Sequence, residues 1–127
     1  MRLNKALRSL TWALVCLIAL GASSALTEAV GPSVRDEAGG KKIYLVKCAV
    51  CHKPDGSGGV KLTGNPTPDW RNAKLMAAPA HSDSALRDCI TNGKPKSGMV
   101  AWMKTGQLKP AQVADLIAYI RTFSKKK

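Results

Sequence analysis

The chain has 127 residues, enough for one compact domain with little to spare. Twenty Lys and Arg against 8 Asp and Glu give a formal net charge of +12. An apolar content of 45 % excludes a disordered polyelectrolyte, and a charged content of 22 % excludes a multi-span membrane protein. Four cysteines are too few and too irregularly spaced for a dense disulfide scaffold.

The N-terminus has its own composition. Arg2, Lys5 and Arg8 precede an apolar stretch from Leu10 to Leu20, which runs into the small residues Gly21 to Ala25. Charge, apolar run and small residues in that order make a secretory signal peptide over residues 1–25, cleaved after Ala25 with Ser23 three positions from the cut. The alternative is an uncleaved anchor, because Leu10–Leu26 has 17 residues and a span needs about 17–25. Cys16 follows Val15 early in the apolar run and reads as filler rather than as a lipidated cysteine. The segment holds three of the 20 basic residues and no acidic one, so the exported chain stays basic. Export argues against intracellular nucleic acid as partner, and 5 % aromatics argue against base stacking.

Residues 26–35 carry Gly and Pro without a period and read as a linker. One domain follows, from Asp36 to Ser124. A helix is predicted from Asp36 to Cys48, with Gly40, Tyr44 and Cys48 on one face at four-residue spacing. Prolines and glycines make residues 53–80 a loop region, with one short helix near Asp69–Met76. Ser82 is a good N-cap for a helix over Asp83–Asn92, closed by Gly93, with Ala85, Leu86, Cys89 and Ile90 as its apolar face. Residues 94–107 form another loop. Pro110 opens the last helix where its missing N–H costs nothing, and Val113, Leu116, Ile117, Ile120 and Phe123 make an amphipathic face. Lys109 sits at the capping position and cannot accept the first N–H groups. Residues 125–127 are a solvated basic tail. With no alternation long enough for a sheet, the fold class is all-α with long Pro/Gly loops. Its core is thin: only 23 large apolar residues lie between Asp36 and Ser124, and small domains near this size often need a staple or a buried prosthetic group.

Cys48-Ala49-Val50-Cys51-His52 is a C-x-x-C-H motif. Two cysteines three positions apart near a helix end project their thiols in similar directions. They can form thioethers to the two vinyl groups of one haem, and the adjacent His52 then offers an imidazole nitrogen to its iron. Other readings are weaker. A thioredoxin-like pair needs a βαβ setting. A zinc site would have only Cys89 and His81 to add, which do not form a second knuckle. A disulfide across two residues closes little loop and stabilises little.

From Asp36 to Phe123 the chain resembles a class I c-type cytochrome of the small bacterial monohaem kind. Gly40, Tyr44 and the CAVCH motif carry the resemblance, with the loop LTGNPTPDW, the stretch ITNGKPKSGMVAW and the helix ADLIAYIRTF. It implies three or four helices around one covalently attached haem c, the first and last crossing where Gly40 permits close approach, with Tyr44 against Tyr119 or Ile120. It also implies a sixth iron ligand from a Met-Pro-Ala-aromatic pattern, matched here by Met99-Val100-Ala101-Trp102 with valine in place of proline. Met99 is the expected ligand, Met103 the runner-up, and Met76 and His81 more distant candidates. With His52 and Met99 both on iron no substrate position remains, so the expectation is a periplasmic one-electron carrier and not an enzyme.

Several positions carry secondary expectations. Trp70 would donate its indole N–H to a haem propionate or to a core carbonyl, and the Pro66 carbonyl would orient His52 if Pro66 is more than a turn proline. His81 is expected exposed, and Cys89 a buried inert thiol. Lys41, Lys42, Lys47 and Lys53 flank the attachment motif, and Lys94, Lys96 and Lys104 flank Met99. Such lysines steer a carrier onto redox partners with acidic docking surfaces. The chain would act as a monomer or as a subunit of a complex. The rival functions are a haem subunit of a multi-subunit oxidoreductase, an open-iron enzyme or gas sensor, and a zinc module.

Overall fold

Asp36 opens the first helix, α1 (Glu37–Lys47), by accepting the Gly39 N–H on its carboxylate at 2.8 Å. The computed structural model describes residues 34–125. The signal peptide or anchor of residues 1–25, most of the linker and the last two residues of the tail lie outside the described residues.

Among the described residues the regular structure is helical, with no strand. The chain turns at Cys48, so α1 ends one residue earlier than the sequence spacing predicts, and a second turn of helix, α2 (Ala49–His52), carries the rest of the motif. The short helix in the loop region, α3 (Ala73–Ala77), starts later than predicted. Asp69 accepts the Arg71 N–H in a turn of its own, and Asn72 is the residue that caps the helix, through Leu75 N–H at 3.1 Å. The helix α4 (Asp83–Asn92) keeps its predicted bounds, with Ser82 Oγ accepting the Ala85 N–H. In α5 (Pro110–Phe123) the lysine at the cap is offset from the other side: Gln112 Oε1 reaches back to accept the Lys109 N–H at 2.9 Å. Short 3₁₀ turns at Pro79–His81 and Pro95–Ser97 complete the chain.

The packing that places the site is the crossing of α1 over α5. A Cβ on Gly40 would collide with the Asp115 carbonyl, so only glycine permits this approach. Asp36 N–H donates to Asp115 Oδ1 at 2.9 Å beside the crossing. One turn after Gly40, Tyr44 is fully buried against Tyr119, Phe123 and Trp70, with ring centroids 5.3, 5.1 and 5.9 Å away. Its hydroxyl donates to the Lys53 carbonyl at 2.6 Å, which ties the core to the residue that follows His52. On the other side of α5, Arg121 donates to Asp83 Oδ1 at 2.8 Å, to the Met76 carbonyl at 2.8 Å and to the His81 carbonyl. One guanidinium thereby joins α3, the 3₁₀ turn and the start of α4 to α5. Among the described residues no helix is long and apolar enough to cross a membrane.

Gly40→Ala is expected to lower stability to denaturant by about 1–3 kcal/mol, because the added methyl must push two helix backbones apart. The Arg121 hydrogen bond, more than any other cause, holds the Asp83 carboxyl below the usual aspartate range. Stability from this pair is therefore present above an ordinary aspartate value of about 3.9 and is lost as pH falls through the lower folded value. Asp83 keeps 43 % of its side chain exposed, so the pair contributes only roughly 0.5–1 kcal/mol. Urea unfolding of Asp83→Asn should show that deficit at pH 7 and a shrinking difference from the unmutated protein in acid.

Candidate haem site

Helices α1 and α2 present Cys48, Cys51 and His52 to one cavity of about 340 Å³. Leu86 and Ile90 of α4 and Ile120 of α5 supply apolar wall, and Met99 closes on the same space. A cavity of this size, mostly apolar with a few convergent donors, is the usual form of a cofactor site.

His52 is buried, at 8 % exposure, and its ring stacks on Trp70 with centroids 4.2 Å apart and planes 12° from parallel. Burial lowers the imidazole to about 4, so it is neutral at pH 7 and keeps a lone pair for a metal. Nδ1 is sealed without a hydrogen-bond partner, and the Pro66 carbonyl is not among its acceptors. What fixes His52 is its backbone. Its carbonyl accepts the Gly58 N–H at 3.1 Å, and the Tyr44 hydroxyl lies 3.3 Å from the same oxygen. The next anchor is Thr67, whose hydroxyl donates to the Cys51 carbonyl at 2.9 Å while accepting the Val60 N–H. Thr67 was not singled out from the sequence, where nothing distinguishes it from other polar loop residues.

Cys48 is buried and Cys51 half-buried, and the two are not joined to each other. Burial pushes the Cys48 thiol up to about 12, against the opposing charge of Lys47. Among the described residues no three His, Cys, Asp or Glu side chains are placed to hold a metal ion among themselves.

The methionines separate clearly. Met99 lines the cavity. Met103 is directed elsewhere: its sulfur takes a hydrogen bond from the Thr91 hydroxyl at 3.2 Å. Met76 is 4 % exposed and belongs to the core. The rigidity that a proline after Met99 would supply comes from other contacts. Lys94 and Met99 exchange two backbone hydrogen bonds, at 3.0 and 3.1 Å, as an antiparallel bridge. Gly93, at φ +68°, lies so near that a Cβ would fall 2.6 Å from the Met99 carbonyl oxygen.

Three secondary expectations change. His81 is half-buried on the cavity wall with Nδ1 sealed, not exposed. Cys89 is a half-buried thiol on the cavity wall, not a core residue. Trp70 is buried and its indole N–H meets no carbonyl, so of the two partners considered the core one is absent among the described residues.

A family model described as cytochrome c matches residues 37–124, and the chain belongs to that family. No curated protein and no solved structure matches the chain significantly. The family binds covalently attached haem c with iron, and the residues here fit it: two thiols, a neutral imidazole and a thioether converge on one largely apolar cavity.

Proposed function

We propose that the protein is a periplasmic monohaem cytochrome c that carries single electrons between redox proteins, with Cys48 and Cys51 binding the haem covalently and His52 and Met99 binding its iron. The observation that carries this reading is the convergence of these four side chains on one cavity while the competing sulfur of Met103 is engaged by Thr91. When bound, a haem would supply the one-electron redox change. His52 and Met99 would both ligate its iron, and the largely apolar cavity wall would limit the water that reaches it. Both features favour outer-sphere electron transfer over chemistry on a bound small molecule.

The surface beside the cavity supports a docking role. Val46 and Val50, each 81 % exposed, and Leu62, 54 % exposed, stand at its rim. Lys41, Lys42, Lys53, Lys94, Lys96 and Lys104 are exposed near the motif or near Met99 in the chain. An apolar rim together with exposed lysines, of which Lys94 borders the cavity, fits a partner with an acidic docking surface, held briefly. The same surface would serve a haem subunit of an oxidoreductase, and co-purification with a stoichiometric partner would favour that second reading.

Met99→Ala is expected to open the iron to carbon monoxide in the reduced protein and to cyanide in the oxidised one, while Met103→Ala keeps the six-coordinate spectrum. The reverse pattern would assign the wrong sulfur, and carbon monoxide binding by the unmutated protein would point to an open-iron enzyme or sensor. Electron-transfer rates to an acidic redox protein should fall steeply as salt rises, since the screening length shrinks to about 8 Å at physiological ionic strength. A salt-independent rate would contradict the lysine steering.

A further inference from the structure

We propose that Lys47 is a positioning residue that fastens the Met99 segment to the haem-attachment helix. Lys47 is the last residue of α1 and immediately precedes Cys48. It differs from its neighbours: Lys41, Lys42 and Lys53 are exposed, whereas Lys47 is half-buried and borders the cavity. It therefore does not belong to the free lysine surface that the sequence suggested.

Its ammonium group has two partners, and both lie in the segment that follows Met99. Nζ sits 4.7 Å from the centroid of the Trp102 ring and donates to Gln107 Oε1 at 3.2 Å. Those two residues form one folded turn, because the Trp102 carbonyl accepts both the Gln107 N–H at 2.9 Å and the Leu108 N–H at 3.1 Å. The Trp102 N–H donates to the Ile90 carbonyl at 3.0 Å, which fastens the turn to α4. Lys47 fastens the same turn to α1. Met99 lies three residues before Trp102, so a turn held on two sides leaves its sulfur little room to withdraw.

Neither partner of Lys47 carries a charge, so the cation is held by an aromatic face and an amide oxygen. A cation over an indole at a partly exposed site shifts a local equilibrium by about two- to five-fold. The equilibrium at issue is opening of the Met99 turn, which costs far less than global unfolding. An external ligand binds ferric iron only in the open form, so its apparent affinity follows the open fraction. The inference rests on Met99 as the iron ligand.

The test uses the ferric haem-loaded protein with Lys47→Met, which keeps an apolar stem and removes the charge, and Lys47→Arg, whose guanidinium can stack on Trp102 and donate to Gln107. Lys47→Met should raise apparent cyanide affinity about two- to five-fold and speed amide exchange at Gln107 and Leu108 by a similar factor, with α5 core amides unchanged. Lys47→Arg should restore both. Wild-type exchange at Gln107 and Leu108 in Lys47→Met would overturn the proposal, as would faster exchange there with unchanged cyanide affinity. A wrong ligand assignment would show separately, as an unaltered spectrum in Met99→Ala, and would leave the exchange result in place.

Discussion

At Gly40 the backbones of α1 and α5 lie so close that a methyl group has no room, and most of the site follows from that contact. The crossing brings Tyr44 into the aromatic cluster of α5, where its hydroxyl reaches past α2 to the Lys53 carbonyl. The C-x-x-C-H turn is thus held from beneath by the core and from the side by the Thr67 loop. His52 needs no hydrogen bond to its own ring to be placed, because the backbone around it is already tied down. Burial that stabilises the helices also keeps the imidazole neutral, so packing and ligand chemistry share one cause.

The cavity explains why so small an apolar core suffices. Leu86, Ile90 and Ile120 face the cavity, while Tyr44, Leu116 and Ile117 fill the crossing behind it. A haem bound there completes the interior that the side chains begin, so folding and cofactor binding reinforce each other. The Met99 turn rests on other contacts: the Lys94–Met99 bridge, the bond to Ile90 and Lys47.

Much of this could be read from the residues. The periodicity of Val113, Leu116, Ile117, Ile120 and Phe123, and the Ser82 cap with Gly93, located α5 and α4 because these signals are local. The C-x-x-C-H motif named the cofactor because its chemistry is contained within five adjacent residues. The start of α3 was misplaced because two residues competed to turn the chain, and Asn72 rather than Asp69 became the cap. The environment of His81, the engagement of Met103 by Thr91 and the clamp by Lys47 each join residues distant in the chain, and no spacing rule reports such pairs. Where the resembled pattern has proline after Met99, this chain has Val100, and the backbone bridge between Lys94 and Met99 holds the segment instead.

The decisive measurement is the mass of the polypeptide after full denaturation, for protein produced together with haem-attachment machinery. Covalent attachment at Cys48 and Cys51 requires a chain heavier than the bare polypeptide by one haem that survives denaturation, and loss of that increment when both cysteines are replaced by serine. A folded product with the mass of the bare polypeptide would contradict it.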